Sequence, residues 1–369
     1  LIAQDIEVVM DGGAYCTLSP VVLSRGVLHA GGPYECPNVH IRGRSMATNT
    51  PPNGAFRGFG APQVGFAHEI QLSRIADELG VSPAELRRRW IYREGGTTPS
   101  GQVLRESVAA EEVLREATEA ADYEGVLEVS RQTRAVRWGQ AQEAGAGFNS
   151  TRVRTASGIG IAMGWHGAGF TGSGEQKMGS TAGVELGADG AIRLLIANTE
   201  IGQGTNTVMP MIVADVLGVE PDEVELAPID TSIVPNSGPT VASRTVMVVG
   251  GMVSKAAARL RALVEERSGG DFADVYKADA AANGATRIDQ DFESEVEVEF
   301  DDETYTGDAY PAFGWACAVA KVDVDLDTGE VRVRSVVSAD DAGRVIHPLL
   351  AEGQIEGGTL QSVGYGTIE

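Results

Sequence analysis

Three glycine-rich stretches, each seeded with amide, hydroxyl or guanidinium donors, constrain this chain more than any other feature. The first is Thr48-Asn-Thr-Pro-Pro-Asn-Gly-Ala-Phe-Arg57-Gly-Phe59-Gly-Ala-Pro-Gln63. The second is Thr199-Glu-Ile-Gly202-Gln203-Gly204-Thr-Asn206, and the third Pro235-Asn-Ser-Gly-Pro-Thr-Val-Ala242-Ser243-Arg244-Thr245. Glycine lets backbone approach a ligand closely. A guanidinium binds oxo or phosphate oxygens through a forked donor set, and a carboxamide both donates and accepts. Three such loops in one chain suit a large anionic cofactor. They need rigid elements to hold them, and 369 residues are enough for two domains, with room for a third.

The pattern along the chain predicts an α+β fold with mixed sheets and packed helices. Residues 1–60 read as strand and loop, with a strand at Ile6–Met10. Phe66, Ile70, Leu72, Ile75, Ala76 and Leu79 recur at helical spacing from Pro62 to about Leu79, where Gly80 ends the helix. Ser82-Pro83-Ala84-Glu85 starts a second helix through a capping box, and a third covers Ser107–Ala121. Residues 122–157, with Glu143-Ala-Gly-Ala-Gly147, read as a linker, so the expected domains are 1–145 and 146–369. Beyond it, 182–186 and 191–197 form a hairpin around Asp189-Gly190, and 318–326 pairs with 331–337 around Asp327-Thr-Gly329. Helices are expected at Thr207–Leu217 and about Met247–Arg267, a strand at Val224–Ala227, a mobile insertion at 268–290 and an exposed strand at Glu295–Phe300. The spacing Gly158-x-Gly160-x-x-x-Gly164 is a poor match to a dinucleotide fingerprint.

Composition narrows the function. A formal net charge of -23, with lysine only at 177, 255, 277 and 321, repels nucleic acid and anionic membranes. No apolar run approaches the roughly 20 residues that span a bilayer, and no secretory signal opens the chain. The expected location is cytoplasmic. The first residue is Leu1 rather than Met, which leaves a leader or an upstream domain open. Cys16, Cys36 and Cys317 are scattered and odd in number, which argues against a disulfide framework and against an iron–sulfur or Cys-type zinc site within the chain. The five histidines lack metal-type pairing and read as structural.

Taken together, Ala55-Phe56-Arg57-Gly58-Phe59-Gly60, Gly202-Gln203-Gly204 and Ala242-Ser243-Arg244-Thr245 resemble the molybdopterin-binding large subunit of the xanthine dehydrogenase and aldehyde oxidase family, over only the middle and later part of that subunit. The resemblance implies two molybdopterin-binding domains and a molybdenum–molybdopterin cofactor, with or without a nucleotide. It places Arg57 and Ala242 beside the metal. Arg57, Gly202, Gln203, Gly204, Ala242, Ser243, Arg244, Thr245 and Gln354 are then cofactor-binding, Gln354 through the segment Glu352-Gly-Gln354-Ile-Glu-Gly-Gly. Arg244 stands where relatives often carry an apolar residue; a place on the phosphate and an outward pose both stay open. His347-Pro348 and Asp340-Asp341 read as scaffold.

Substrate-side residues follow from the same resemblance, Arg25 by ungapped alignment backwards from Arg57. Arg25 falls on the arginine of xanthine-oxidising members, where it would stabilise negative charge developing on a purine. Phe59 would stack on a flat substrate, with Phe170 edge-on, Thr171 offering a hydroxyl and Trp165 as a candidate third ring. Gly58 stands where the carbon monoxide dehydrogenase branch carries a cysteine, so that branch is disfavoured. The resemblance thus implies hydroxylation of a purine or related N-heterocycle, with water as the oxygen source. It also implies [2Fe-2S] and FAD partners on other subunits or segments, and an oligomer. No catalytic residue is assigned within the chain: the family's glutamate base is expected downstream of Glu369. An aldehyde or nicotinate-type substrate within the family, and a non-catalytic scaffold fragment, are the alternatives.

Overall fold

The structure is a computed structural model that describes residues 1–132, 155–294 and 299–368. The expected boundary at 145/146, the segment Glu143–Gly147 and residues 295–298 of the expected strand lie outside the described residues. Two compact units result: Leu1–His166 with Phe313–Gly343 and Gly353–Glu369, and Gly167–Ala312 with Arg344–Glu352.

In the first unit, β1 (Gln4–Gly13) pairs in parallel with β2 (Val39–Ala47), and α1 (Ser19–His29) connects them. A helix here differs from the expected loop. Pro20 in its first turn presets φ, and Val22, Arg25, Gly26 and His29 are buried at helical spacing. At Gly26 a Cβ would stand 2.9 Å from Met10 Cε, the movable end of a flexible side chain. The predicted helices follow as α2 (Ala61–Leu79), α3 (Pro83–Trp90) and α4 (Ala110–Ala120). Gly80, at φ 67°, closes α2 in the left-handed region, and the Ser82 hydroxyl accepts from the Glu85 amide at 3.5 Å. Strands β3 (Thr155–Gly167), β8 (Phe313–Asp325) and β9 (Val331–Asp341) complete the unit as a sheet in the order β9-β8-β3. Strands β8 and β9 form the expected antiparallel hairpin. Leu72, Tyr92, Leu114, Met163, Trp165, Trp315 and Val319 make the core.

The second unit holds a mixed sheet in the order β6-β5-β4-β7, from β4 (Thr181–Leu186), β5 (Ile192–Leu195), β6 (Val224–Leu226) and β7 (Thr286–Asp291). The β4–β5 hairpin turns at Gly190, φ 79°. Helices α5 (Thr205–Leu217) and α6 (Gly250–Ser268) cover it through Met209, Val213, Val253 and Leu260. Residues 268–290 are not an insertion: they form α7 (Phe272–Asn283) and β7. Phe272, Tyr276 and Ala280 recur at i, i+4 and i+8, are 0%, 4% and 1% exposed, and dock α7 on the core. The last helix, α8 (Pro348–Thr367), starts where His347 Nδ1 accepts from the Leu350 amide at 3.3 Å. Among the described residues, no helix is long and apolar enough to cross a membrane.

Candidate functional site

The loop between β2 and α2 presents Arg57. Gly58, Phe59 and Gly60 are consecutive left-handed residues, with φ of 88°, 57° and 98°. A Cβ at Gly58 would stand 2.3 Å from Pro62 Cγ, and one at Gly60 2.3 Å from the Val22 carbonyl oxygen, so neither position admits a side chain. Phe59 holds that conformation despite its side chain, at a cost of roughly 1–3 kcal/mol. This backbone turns Arg57 onto α8, where Nη2 donates to the Gln354 carbonyl at 2.6 Å and lies 3.5 Å from Gln354 Oε1. The two residues are 297 positions apart in sequence. A depression of about 340 Å³ opens beside them, lined by Ser338, Asp340, Thr359 and Ser362. One guanidinium, one carboxamide and three hydroxyls there face a single carboxylate.

Arg25 is enclosed in α1 and 4% exposed. Its Nη1 donates to His166 Nε2 at 3.0 Å, so His166 accepts at Nε2 and is neutral with its proton on Nδ1. His29 Nδ1 donates to the Arg25 carbonyl at 2.7 Å, which places its proton on Nδ1 as well. Burial, then the charge of Arg25, pushes His166 down to about 3. Burial, then His166 and Arg25, holds His29 well below the ordinary histidine range. Trp165 stacks on Phe313 with centroids 4.8 Å apart, as a core ring. The Arg25–His166 link spans 141 residues, and no motif spacing announces it.

These depressed histidines give the unit a pH signature. Unfolded imidazoles titrate near 6.5, above the folded values. Their contribution is complete above about pH 6.5 and is lost as pH falls toward 3, because the unfolded chain takes up protons that the folded one refuses. His166→Gln keeps an acceptor for Arg25 and removes the titration. The expected result is a smaller drop in Tm between pH 7.5 and pH 5 than in the unmodified protein. Equal drops would remove His166 from this account.

In the second unit, the Gly169 amide donates to the Ala242 carbonyl at 2.8 Å, which ties the Phe170–Thr171 loop to the third glycine-rich loop. The Phe170 amide donates to Glu175 Oε1 at 3.2 Å, and Thr171 Oγ1 lies 2.9 Å from the Tyr310 hydroxyl. Ala242 and Ser243 are both left-handed, φ 59° and 53°. Arg244 takes neither of the poses the sequence left open. It is 0% exposed, with Nε 2.9 Å from Glu175 Oε2, Nη1 donating to the Ser237 carbonyl at 2.7 Å and Nη2 to Ser180 Oγ at 2.9 Å. Thr245 opens a π-helical turn, Thr245–Val249, that leads into α6; such turns gather at functional sites.

The second loop is largely self-satisfied. The Glu200 carboxylate accepts from the amides of Gly202 (2.7 Å), Gly204 (3.1 Å) and Asn206 (2.9 Å), at the start of α5. Those amides, that of Asn206 foremost, hold the carboxyl below the usual carboxylate range. Gln203 Nε2 donates to the Thr199 carbonyl and Thr205 Oγ1, and its Oε1 accepts from the Ile201 amide. What Gln203 has left for a ligand is one acceptor lone pair. Neither the Glu200 clamp nor the Glu175–Arg244 pair was singled out from sequence. An acidic residue two before Gly202 is a usable signal for the first, but nothing marks the second. Among the described residues, no cluster of three His, Cys, Asp or Glu side chains is placed to hold a metal ion, so Asp340–Asp341 lacks a third ligand.

Two families, each described as a molybdopterin cofactor-binding domain, match the chain, one over residues 131–369 and the other over residues 1–91. Aldehyde oxidoreductase of Megalodesulfovibrio gigas is 30% identical over 372 residues, 100% of this chain and 38% of the relative. Xanthine dehydrogenase of Oryza sativa subsp. japonica is 29% identical over 379 residues, 100% of this chain and 26% of the relative. The solved structure of the aldehyde oxidoreductase from Desulfovibrio gigas matches with a TM-score of 0.82 at 29% identity, covering 98% of this chain and 38% of that one. This chain therefore spans less than half the length of each.

Proposed function

The chain belongs to the molybdopterin cofactor-binding domains of the xanthine dehydrogenase and aldehyde oxidase family, and from that premise we propose that it is the cofactor-binding part of a hydroxylase acting on a purine or related N-heterocycle of the xanthine or hypoxanthine type. The observation that carries the reading is the meeting of Arg57 and Gln354 over a donor-rich depression. The donor set fits the group. Molybdopterin carries anionic oxygens and a ring edge of donors and acceptors. The Arg57 guanidinium, the exposed Gln354 carboxamide and the Thr359 hydroxyl match those needs in one unit, whereas the Ser338 and Ser362 hydroxyls already donate to Asp340 Oδ2 and the Gly358 carbonyl. In the other, the paired left-handed residues Ala242 and Ser243 make a nest-like turn that carries a hydroxyl. Gln203 fits less well, since both of its amide donors are already engaged.

On this reading Arg57 and Gln354 bind the cofactor, Ala242, Ser243 and Thr245 hold it through backbone and hydroxyl groups, and Gly202 and Gly204 shape the second loop. Arg244 acts through Glu175, bracing the loop that carries Ala242. Arg25 positions a purine and offsets its developing negative charge, with Phe59 stacked on the ring, and Phe170 and Thr171 keep the substrate-side roles that the family resemblance gives them. When bound, the molybdenum centre supplies the two-electron oxidation, with water as the oxygen source. Electron transfer needs [2Fe-2S] and FAD groups on other domains or subunits, because three scattered cysteines cannot furnish a four-cysteine cluster. A buried Arg25, bonded to His166, also favours a second reading in which it is scaffold and the substrate is an aldehyde.

The test is elemental analysis of the complete polypeptide, expressed with its maturation factors and neighbouring subunits, followed by xanthine-dependent dye reduction. About one molybdenum per chain with turnover is expected. Molybdenum with aldehyde turnover alone selects the second reading. A folded complex without molybdenum refutes both and points to a scaffold.

A further inference from the structure

Helix α8 carries glycine at 353, 357, 358, 364 and 366, each about 1 kcal/mol less favourable in a helix interior than alanine. A Cβ at Gly353, Gly364 or Gly366 would meet nothing within 4 Å. Two of the glycines differ. A Cβ at Gly357 would stand 3.5 Å from Arg57 Nη1, and one at Gly358 would stand 3.4 Å from Arg57 Cζ, 3.5 Å from Nη2 and 3.6 Å from Nη1. The guanidinium therefore lies against bare helix backbone, close enough for Nη2 to reach the Gln354 carbonyl at 2.6 Å.

We infer that Gly357 and Gly358 are positioning residues: together they form a seat that sets the height of the Arg57 guanidinium above α8. This rests on the reading of Arg57 as a cofactor ligand. The geometry gives the reason. A methyl at either position reaches van der Waals contact, so any longer side chain occupies the space the guanidinium fills and lifts it off the Gln354 carbonyl. The remaining Arg57 donors then no longer face the depression lined by Ser338, Thr359 and Ser362.

Gly358→Leu separates this role from helix stability, because leucine is a better helix former than glycine. In the complete polypeptide with its maturation factors, Gly358→Leu is expected to fold, with a Tm within a few degrees of the unmodified protein. It is expected to hold at least about tenfold less molybdenum. Gly364→Leu, the same exchange over open space, is expected to keep its molybdenum. Arg57→Ala is expected to lose it, and the double variant Arg57→Ala/Gly358→Leu to lose no more than Arg57→Ala alone, since the glycine acts through the arginine. Gly358 also lines the depression, so Gly357→Leu, whose Cβ would meet only Arg57 Nη1, is made beside it and is expected to lose molybdenum as well, which separates the seat from filled space. Full molybdenum in both leucine variants at the seat, or a further loss in the double variant, overturns the seat. Full molybdenum in Arg57→Ala instead overturns the cofactor role of Arg57.

Discussion

Replacing Arg25 by methionine is expected to lower kcat/KM for xanthine by about 10²–10³-fold while leaving an aromatic aldehyde within a few fold. Methionine keeps comparable bulk in α1 but has no donor. A purine gathers negative charge on its ring nitrogens and exocyclic oxygens as the carbon under attack becomes tetrahedral, and a guanidinium offsets that charge. An aromatic aldehyde has no ring nitrogens to take up that charge, so the same loss leaves it largely untouched. The exchange has a structural cost as well: His166 Nε2, which accepts from Arg25 at 3.0 Å, loses its partner. An orphaned buried acceptor costs on the order of 1–3 kcal/mol of stability. Molybdenum content and Tm, measured beside the two rates, keep that cost apart from the chemistry. Equal loss for purine and aldehyde at full molybdenum would reduce Arg25 to scaffold. Unchanged purine turnover would remove it from the substrate site.

What the sequence made legible follows from how local its signals are. Helix α3 is announced by Ser82, Pro83 and Glu85 within four residues, and the β4–β5 hairpin by Asp189-Gly190; both need only neighbours in the chain. Helix α1 is not, because Val21, Val22, Val27 and Gly26 carry weak helical preference and the burial that overrides it comes from β1, β2 and α2. Alanine-rich α7 hides its three-residue apolar stripe in the same way. At the site, glycine next to arginine or glutamine locates the loops but not where their side chains point. Arg244 and Gln203 show why. Arg244 turns inward because Glu175 waits 69 residues earlier in the chain, and Gln203 folds back on a loop already locked by Glu200. Partners at that separation leave no periodicity to read.

The buried Glu69–Arg87 ion pair gives the largest expected change in stability. Arg87, 0% exposed, donates from Nε to Glu69 Oε2 at 2.8 Å, from Nη2 to the Glu69 carbonyl and Ser73 Oγ, and from Nη1 to the Pro83 carbonyl. The Tyr34 hydroxyl donates to Glu69 Oε1 at 2.5 Å, and the Met163 amide to Oε2 at 2.9 Å. Four donors thus meet on one α2 carboxylate or its backbone, from α3, β3 and the loop after α1. Burial, then the Glu69 charge, raises the Tyr34 hydroxyl well above its usual range, so it stays a donor. Arg87→Met leaves the carboxylate enclosed without its cation, and a loss of about 3–5 kcal/mol is expected in urea unfolding. Adding Glu69→Leu removes the stranded charge and recovers part of that loss. It does not recover all of it, because the Tyr34 hydroxyl and the Met163 amide are then orphans at roughly 1–3 kcal/mol each. A double variant as stable as the unmodified protein would show that the pair holds α2 and β3 together no better than apolar packing does. The link to function is positional. α2 begins at Ala61, one residue after the Arg57–Gly60 turn, and β3 ends beside the His166 that holds Arg25. Arg87→Met is therefore expected to weaken molybdenum retention at temperatures well below its own Tm.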